Sequence, residues 1–373
     1  MRYTYCIAAI AAIAAALPTP ADIEVDQQLF TIELAPGEIR QVTEEEKWKL
    51  KAEGVNFFDI TEFEDFSPAQ FEKRQAVTYP TTLTQGTSVR ALNSRLSSSN
   101  MQTNLQTFTN FNNRYYRATT GRQSSEWLLS RIRSYVPSGS SVTVNAFSHS
   151  FVQSSIIARI PGRTTKTVVV GAHQDSVNGA SPTSGRSPGA DDNGSGSVTI
   201  LEAFRTLISN STIASGQAAQ TIEFHWYAGE EAGLLGSQAI FNSYASSGRN
   251  VVGMLNQDMT GYTQGYRSAG LTPKFGVITD NVNTALTNFV RRIISAYTSV
   301  GTGDDRCGYA CSDHASATRA GYPSAMIFES EMEYENPYIH TAQDTINRVD
   351  FTHMVEHAKL VVGFVVELAF ASL

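Results

Sequence analysis

Four short apolar runs in the second half of the chain limit its possible folds more than any other feature. They are Thr167–Gly171 (TVVVG), Thr221–Tyr227 (TIEFHWY), Val251–Leu255 (VVGML) and Ser324–Phe328 (SAMIF). Each is bounded by Gly, Asn or Pro and reads as a strand. Amphipathic stretches lie between them. Ser197–Ser209 gathers Leu201, Phe204, Leu207 and Ile208 on one face, and Asn283–Thr298 does the same with Leu286, Phe289, Val290 and Ile293. Phe351–Phe370 reads as a long buried C-terminal helix. Glu367 interrupts its apolar runs, so it is not a membrane anchor. In the Ser/Thr/Asn-rich stretch Thr81–Thr120, burial of Leu92, Leu96, Leu105 and Phe108 would make helical entry structure. Strands alternating with helices predict an α/β fold, here a single globular domain with a central mixed, largely parallel sheet flanked by helices.

Ligands in such folds bind beyond the carboxyl ends of the strands, and the acids and histidines of this chain gather there. Only 17% of its residues are charged, yet His173-Gln174-Asp175 follows TVVVG, Glu230-Glu231 follows TIEFHWY, and Asn256-Gln257-Asp258-Met259 follows VVGML. Pro188-Gly189-Ala190-Asp191-Asp192-Asn193-Gly194 precedes a helix, and His340-Thr341-Ala342-Gln343-Asp344 precedes the last one. Two histidines and three carboxylates from five segments form a mixed nitrogen/oxygen donor set suited to zinc. One catalytic zinc takes three protein ligands, so five groups fit two ions that share one carboxylate.

The net charge of -7 is unevenly distributed. Residues 21–74 hold 14 acids and 6 bases, a balance of -8; residues 1–20 hold only Arg2; residues 75–373 balance at 21 of each. This balance weakens a nucleic-acid reading, which normally wants a basic surface. Arg2, the apolar run Cys6–Leu17 and Ala14-Ala15-Ala16 read as a secretory signal over residues 1–17. The acidic block that follows ends at Lys73-Arg74, a dibasic pair, and reads as a pro-segment over 18–74, leaving a catalytic domain over 75–373. Removal of both would take Cys6 and leave Cys307 and Cys311, which in a secreted protein are expected to pair. Asn210-Ser211-Thr212 is a glycosylation sequon at a helix end.

The segments GAHQDS, PGADDNGSG, AGEEAGLLGS, NQDM and HTAQDT, with Cys307-Gly308-Tyr309-Ala310-Cys311-Ser312-Asp313-His314, resemble the secreted co-catalytic two-zinc aminopeptidases, most of all the fungal extracellular leucine aminopeptidases. The resemblance covers roughly residues 85–373. It implies an extracellular exopeptidase of zinc-exopeptidase fold that removes Leu-like N-terminal residues from peptides with a free N-terminus, acting as a monomer with two Zn2+. His173 and Asp258 would hold one zinc and Glu231 and His340 the other. Asp191 would bridge them, with its bond to Asp192 cis. Glu230 would be the general base towards a zinc-bound water, and Tyr309 would donate to the oxyanion. Asp175 and Asp192 would support the ligands from behind. Met259, Met326, Phe328 and Ile339 would line an apolar pocket. The five other histidines, His149, His225, His314, His353 and His357, read as structural.

Other hydrolase readings fare worse. Gly185-Arg186-Ser187-Pro188-Gly189 fits the G-x-S-x-G elbow, but that elbow needs an amide N–H after the serine, and proline has none. No histidine is followed by glutamate, which excludes H-E-x-x-H. A single-zinc cyclase-like acyltransferase and a non-catalytic binding module remain as rivals on the same fold.

Overall fold

A computed structural model describes residues 28–64 and 76–373. The expected signal (1–17) and the Lys73-Arg74 pair lie outside the described residues. The chain opens with β1 (Leu29–Ala35), β2 (Glu38–Thr43), α1 (Glu44–Ala52) and β3 (Phe58–Asp59); these strands form a small antiparallel sheet in the order β2-β1-β3. Thr43 and Glu46 form a reciprocal cap on α1, Thr43 accepting from the Glu46 amide and Glu46 from the Thr43 amide.

The helical entry predicted for Thr81–Thr120 contains α2 (Gly86–Asn93) and α3 (Ser98–Phe108), with Leu92, Leu105 and Phe108 buried. Then come α4 (Thr119–Tyr135), β4 (Thr143–Phe147), β5 (Ser155–Ile160), β6 (Thr167–His173), α5 (Gly196–Ile208), α6 (Ser211–Ala214), β7 (Thr221–Tyr227), α7 (Leu235–Ser246) and β8 (Val251–Gln257). The chain closes with α8 (Gln264–Ser268), β9 (Lys274–Ile278), α9 (Thr284–Tyr297), β10 (Gly301–Asp305), α10 (His314–Arg319), β11 (Ser324–Phe328) and α11 (Phe351–Ala369).

Eight strands form the main sheet, in the order β10-β9-β11-β8-β6-β7-β5-β4. The four strands read from sequence are its parallel centre, β7-β6-β8-β11. Antiparallel pairings on both sides make the sheet mixed. Every residue of these four strands is buried. Helices cover both faces, which explains continuous apolar runs in place of alternation. No helix among the described residues is long and apolar enough to cross a membrane. Because the central strands run in parallel, their carboxyl ends deliver His173, Glu230, Asp258 and Phe328 to one edge.

Candidate metal centre

At that edge two donor groups share one residue. His173, Asp192 and Asp258 form one and Asp192, Glu231 and His340 the other, each offering atoms within 4.8 Å of one another. His173 Nε2 lies 3.2 Å from Asp192 Oδ1 and 3.2 Å from Asp258 Oδ1. His340 Nε2 lies 3.0 Å from Asp192 Oδ2 and 2.8 Å from Glu231 Oε2. Asp192 thus turns one oxygen to each histidine.

This corrects the expectation that Asp191 bridges and Asp192 stands behind. Asp191 is turned the other way: its Oδ1 accepts from the Gly261 amide at 3.0 Å and its Oδ2 from Asn336 Nδ2 at 3.1 Å. Both its oxygens are engaged away from the histidines. The cis peptide lies between Asp192 and Asn193, one bond later than expected.

Asp344 and Gly189, from the motif segments, and Asn336 and Arg114, which carry no sequence signal, fix this turn. Asp344 accepts from the Asp191 amide at 3.1 and 3.2 Å and from the Asp192 amide at 3.0 Å, while Asn336 Nδ2 reaches it at 3.2 Å. Arg114, fully buried, donates to the carbonyls of Gln174, Pro188 and Gly189. Gly189 has a φ of +51°, and a Cβ there would lie 2.5 Å from Ser176 Cβ, so glycine is required. Two non-glycine residues at the site, Met259 (φ 53°) and His340 (φ 56°), are also left-handed, a conformation tolerated where the surroundings over-determine it.

Asp175 lies 3.4 Å from His173 Nδ1, a charge contact rather than a well-formed hydrogen bond. Its oxygens also accept from the amides of Glu230 and Glu231, both at 3.1 Å. One carboxylate therefore ties the β6 end to the β7 end. Glu230 and Glu231 sit in a turn after β7. Asp258 is oriented by Ser312 Oγ at 2.6 Å, itself held by Asn256 Nδ2 at 2.8 Å.

The electrostatics follow from crowding carboxylates out of water. Burial alone would lower both histidines. It is outweighed by Asp258 and Glu230 at His173 and by Glu231 and Asp192 at His340, and both end well above the usual imidazole range. Burial pushes Glu230 well above the ordinary carboxylate range, and raises Glu231 too. Asp192 goes the other way: its burial is overcome by hydrogen bonds to His173 and His340. Four buried carboxylates around two histidines form a strongly cation-seeking set. Glu231 Oε1 is buried without a partner. Donor types, spacing and uncompensated charge all fit divalent zinc.

Beside the ligands lies a cavity of about 310 Å³. It is lined by the expected apolar residues Met259, Met326, Phe328 and Ile339, by Cys307, Cys311 and Met332, and by Glu230 and Glu335. Cys307 and Cys311 are disulfide-bonded, as expected, which takes both sulfurs out of metal binding. A larger cleft of about 830 Å³, between α1 and Gly179–Thr183, contains none of the candidate ligands.

Tyr309 is not brought to the metal ligands. Its ring stands edge-on to Phe58 at 5.4 Å and its hydroxyl lies 3.4 Å from Arg319, which also pairs with Glu33. Burial and Glu33 push its hydroxyl up to about 12. Residues of the N-terminal block hold it there. The same block places Lys51, Gly54 and Asn56 in the wall of the cavity. Burial opposes charge on Lys51, but Glu230, Glu231, Asp192 and Asp258 outweigh it and hold its ammonium above the usual lysine range. Sequence reasoning missed Lys51, which carries no local motif.

Of the remaining readings, Ser187 is buried and donates to the Val177 carbonyl, so the G-x-S-x-G match is a loop coincidence. Asn210 caps α6 through Oδ1, accepting from the Thr212 and Ile213 amides.

Residues 155–365 match Peptidase family M28. The chain belongs to this family. Leucine aminopeptidase 1 of Arthroderma otae is 56% identical over 94% of this chain and 95% of its own. The solved LapA aminopeptidase of Legionella pneumophila is 28% identical with a TM-score of 0.78, covering 90% of this chain and 91% of that one. A glutaminyl cyclase from Bacteroides thetaiotaomicron shares the fold alone, at 16% identity and a TM-score of 0.58 over 75% of this chain and 99% of that one. As an M28 peptidase, the protein is a zinc-dependent hydrolase.

Proposed function

We propose that this chain is the precursor of a secreted aminopeptidase that uses two zinc ions to remove apolar, Leu-like N-terminal residues from peptides. The observation that carries this is Asp192 standing between two complete sets, His173/Asp258 and Glu231/His340. Zinc held there would lower the pKa of water to about 7 and polarise the scissile carbonyl.

The chain's own residues supply the rest. Asp192, with Asp258 and Glu231, would supply the negative charge that retains the cations. Glu230 lines the cavity beside the ligands without serving as one. Its carboxylate would take a proton from the attacking water and return it to the departing amine, a role worth roughly 10²–10⁴-fold. Met259, Met326, Phe328 and Ile339 would bury the side chain of the N-terminal residue, each buried methylene contributing about 0.8 kcal/mol.

The block from residue 18 to 74 would be a pro-segment that covers the site. Within its described part, Lys51 projects among four carboxylates that would otherwise meet a substrate ammonium. Its removal would uncover the cavity and release Tyr309 from Phe58 and Glu33, free to turn towards an oxyanion. The names of the fungal relatives, Leucine aminopeptidase 1 and Probable leucine aminopeptidase 1, support the assignment. A single-zinc cyclase reading leaves the second donor group without a purpose.

The test is metal content together with activity. The processed protein should contain two zincs per chain and release leucine from a leucyl anilide. Glu230→Gln should keep the zinc and lose at least a hundredfold in turnover. Near wild-type turnover in that variant removes Glu230 from the mechanism, and one zinc per chain returns the cyclase reading.

A further inference from the structure

We infer that Glu335 extends the pocket's substrates to peptides with a basic N-terminal residue, the lysyl or arginyl cation pairing with its carboxylate. This rests on the aminopeptidase reading above and concerns which N-terminal side chains the same pocket admits.

Apart from Glu335 itself, the metal ligands, Glu230, and Lys51 and Asn56 of the N-terminal block, the rest of the cavity wall is apolar: Met259, Met326, Phe328, Met332, Ile339 and the Cys307–Cys311 bridge. Glu335 lines the same cavity, half-buried, directly after the short Met332–Tyr334 turn. Its carboxylate makes no hydrogen bond and no ion pair among the described residues; only burial and through-space charges act on it. Burial holds its carboxyl up at about 7, with Asp192, Asp305 and Asp258 adding to the effect and His340 opposing it.

A partly buried carboxylate without a partner is costly, and a cation that meets it recovers that cost. An apolar N-terminal residue cannot supply one. A lysine or arginine can: its stem lies along apolar walls while its head reaches a polar rim. The methionines add unbranched, adaptable walls that accommodate stems of different shape. An N-terminal glutamate would set like charge against Glu335 and be disfavoured.

The experiment uses the processed zinc enzyme and compares kcat/KM for lysyl, leucyl and glutamyl anilides in wild type, Glu335→Gln and Glu335→Lys. Glu335→Gln should lower the lysyl-to-leucyl ratio about tenfold or more, as expected for loss of a charge-assisted contact. Glu335→Lys should lower it further and raise the glutamyl-to-leucyl ratio. Ratios within twofold of wild type in both variants overturn the role of Glu335 and leave the peptidase reading standing. A wild-type enzyme that releases none of the three residues overturns the peptidase reading itself.

Discussion

Exchanging the two neighbouring aspartates for asparagine should have sharply unequal effects. Asp192 offers Oδ1 to the His173 side and Oδ2 to the His340 side, 3.2 and 3.0 Å from the respective Nε2 atoms. An asparagine there keeps one acceptor and turns an NH2 donor towards the other donor group. A donor cannot ligate a cation, so at least one of the two metal sites loses a ligand and faces a misdirected dipole. Asp192→Asn should therefore hold no more than one zinc per chain. The surviving affinity should fall at least a hundredfold, or about 2.7 kcal/mol. Asp191 touches neither histidine; its oxygens accept from Gly261 and Asn336. Asp191→Asn sets its amide against the Asn336 amide, which costs a buried hydrogen bond, about 1–3 kcal/mol of stability. Its metal affinity should drop 10–100-fold, the usual effect of disturbing groups that orient ligands. Both zincs should return in excess metal. Equilibrium dialysis with elemental analysis, read beside leucyl-anilide turnover, separates the two. An Asp192→Asn protein that binds two zincs with wild-type affinity refutes the bridging geometry. So does an Asp191→Asn protein that cannot be reloaded.

Three further outcomes follow from the same contacts. Lys51→Ala in the unprocessed chain should raise leucyl-anilide hydrolysis about tenfold, because the cation facing Glu230, Glu231, Asp192 and Asp258 is gone; unchanged activity would show that the N-terminal block leaves the site open. Asp344→Asn must turn an NH2 towards the Asp191 or Asp192 amide, so zinc affinity should fall about 10–100-fold and recover in excess zinc, whereas loss of folding with normal affinity would assign Asp344 to stability alone. His314 is fully buried and its imidazole is pushed down from 6.5 to about 4 by burial. With the folded value depressed, its neutral form is the one the fold accommodates, so its contribution is complete above pH 6.5 and lost as pH falls towards 4. The loss amounts to about 3 kcal/mol. Denaturant titrations at pH 7.5 and 4.5 should show a smaller acid loss in His314→Asn than in the parent, and equal losses would contradict the assignment.

The candidate site was only partly legible in the sequence. His173, Glu231, Asp258 and His340 could be read because they sit at strand ends or in motifs whose chemistry is local. Asp191 and Asp192 could not be told apart. Identical neighbours point according to the backbone of one turn, and that turn is fixed by Asp344 and Asn336, about 150 residues away in the chain. The position of Tyr309 in this chain was not legible either, because Glu33 and Phe58, which face it, belong to a block that carries no motif of its own. Lys51, in the last turn of α1, and Glu335, after a short turn, left no trace because a single charge outside any motif looks solvated until tertiary structure surrounds it.

By itself, the sequence determined the central sheet. Strands buried on both faces must be apolar throughout, so β6, β7, β8 and β11 announce themselves, and four parallel strands leave one edge for the chemistry. It also determined which residue types gather at that edge, since only carboxylates and imidazoles can hold zinc with oxygen and nitrogen donors. Tertiary structure alone decided which carboxylate stands between the histidines, and it set a lysine from the N-terminal block among them. Local pattern records what a residue can do, but orientation and partnership depend on contacts between segments far apart in the chain.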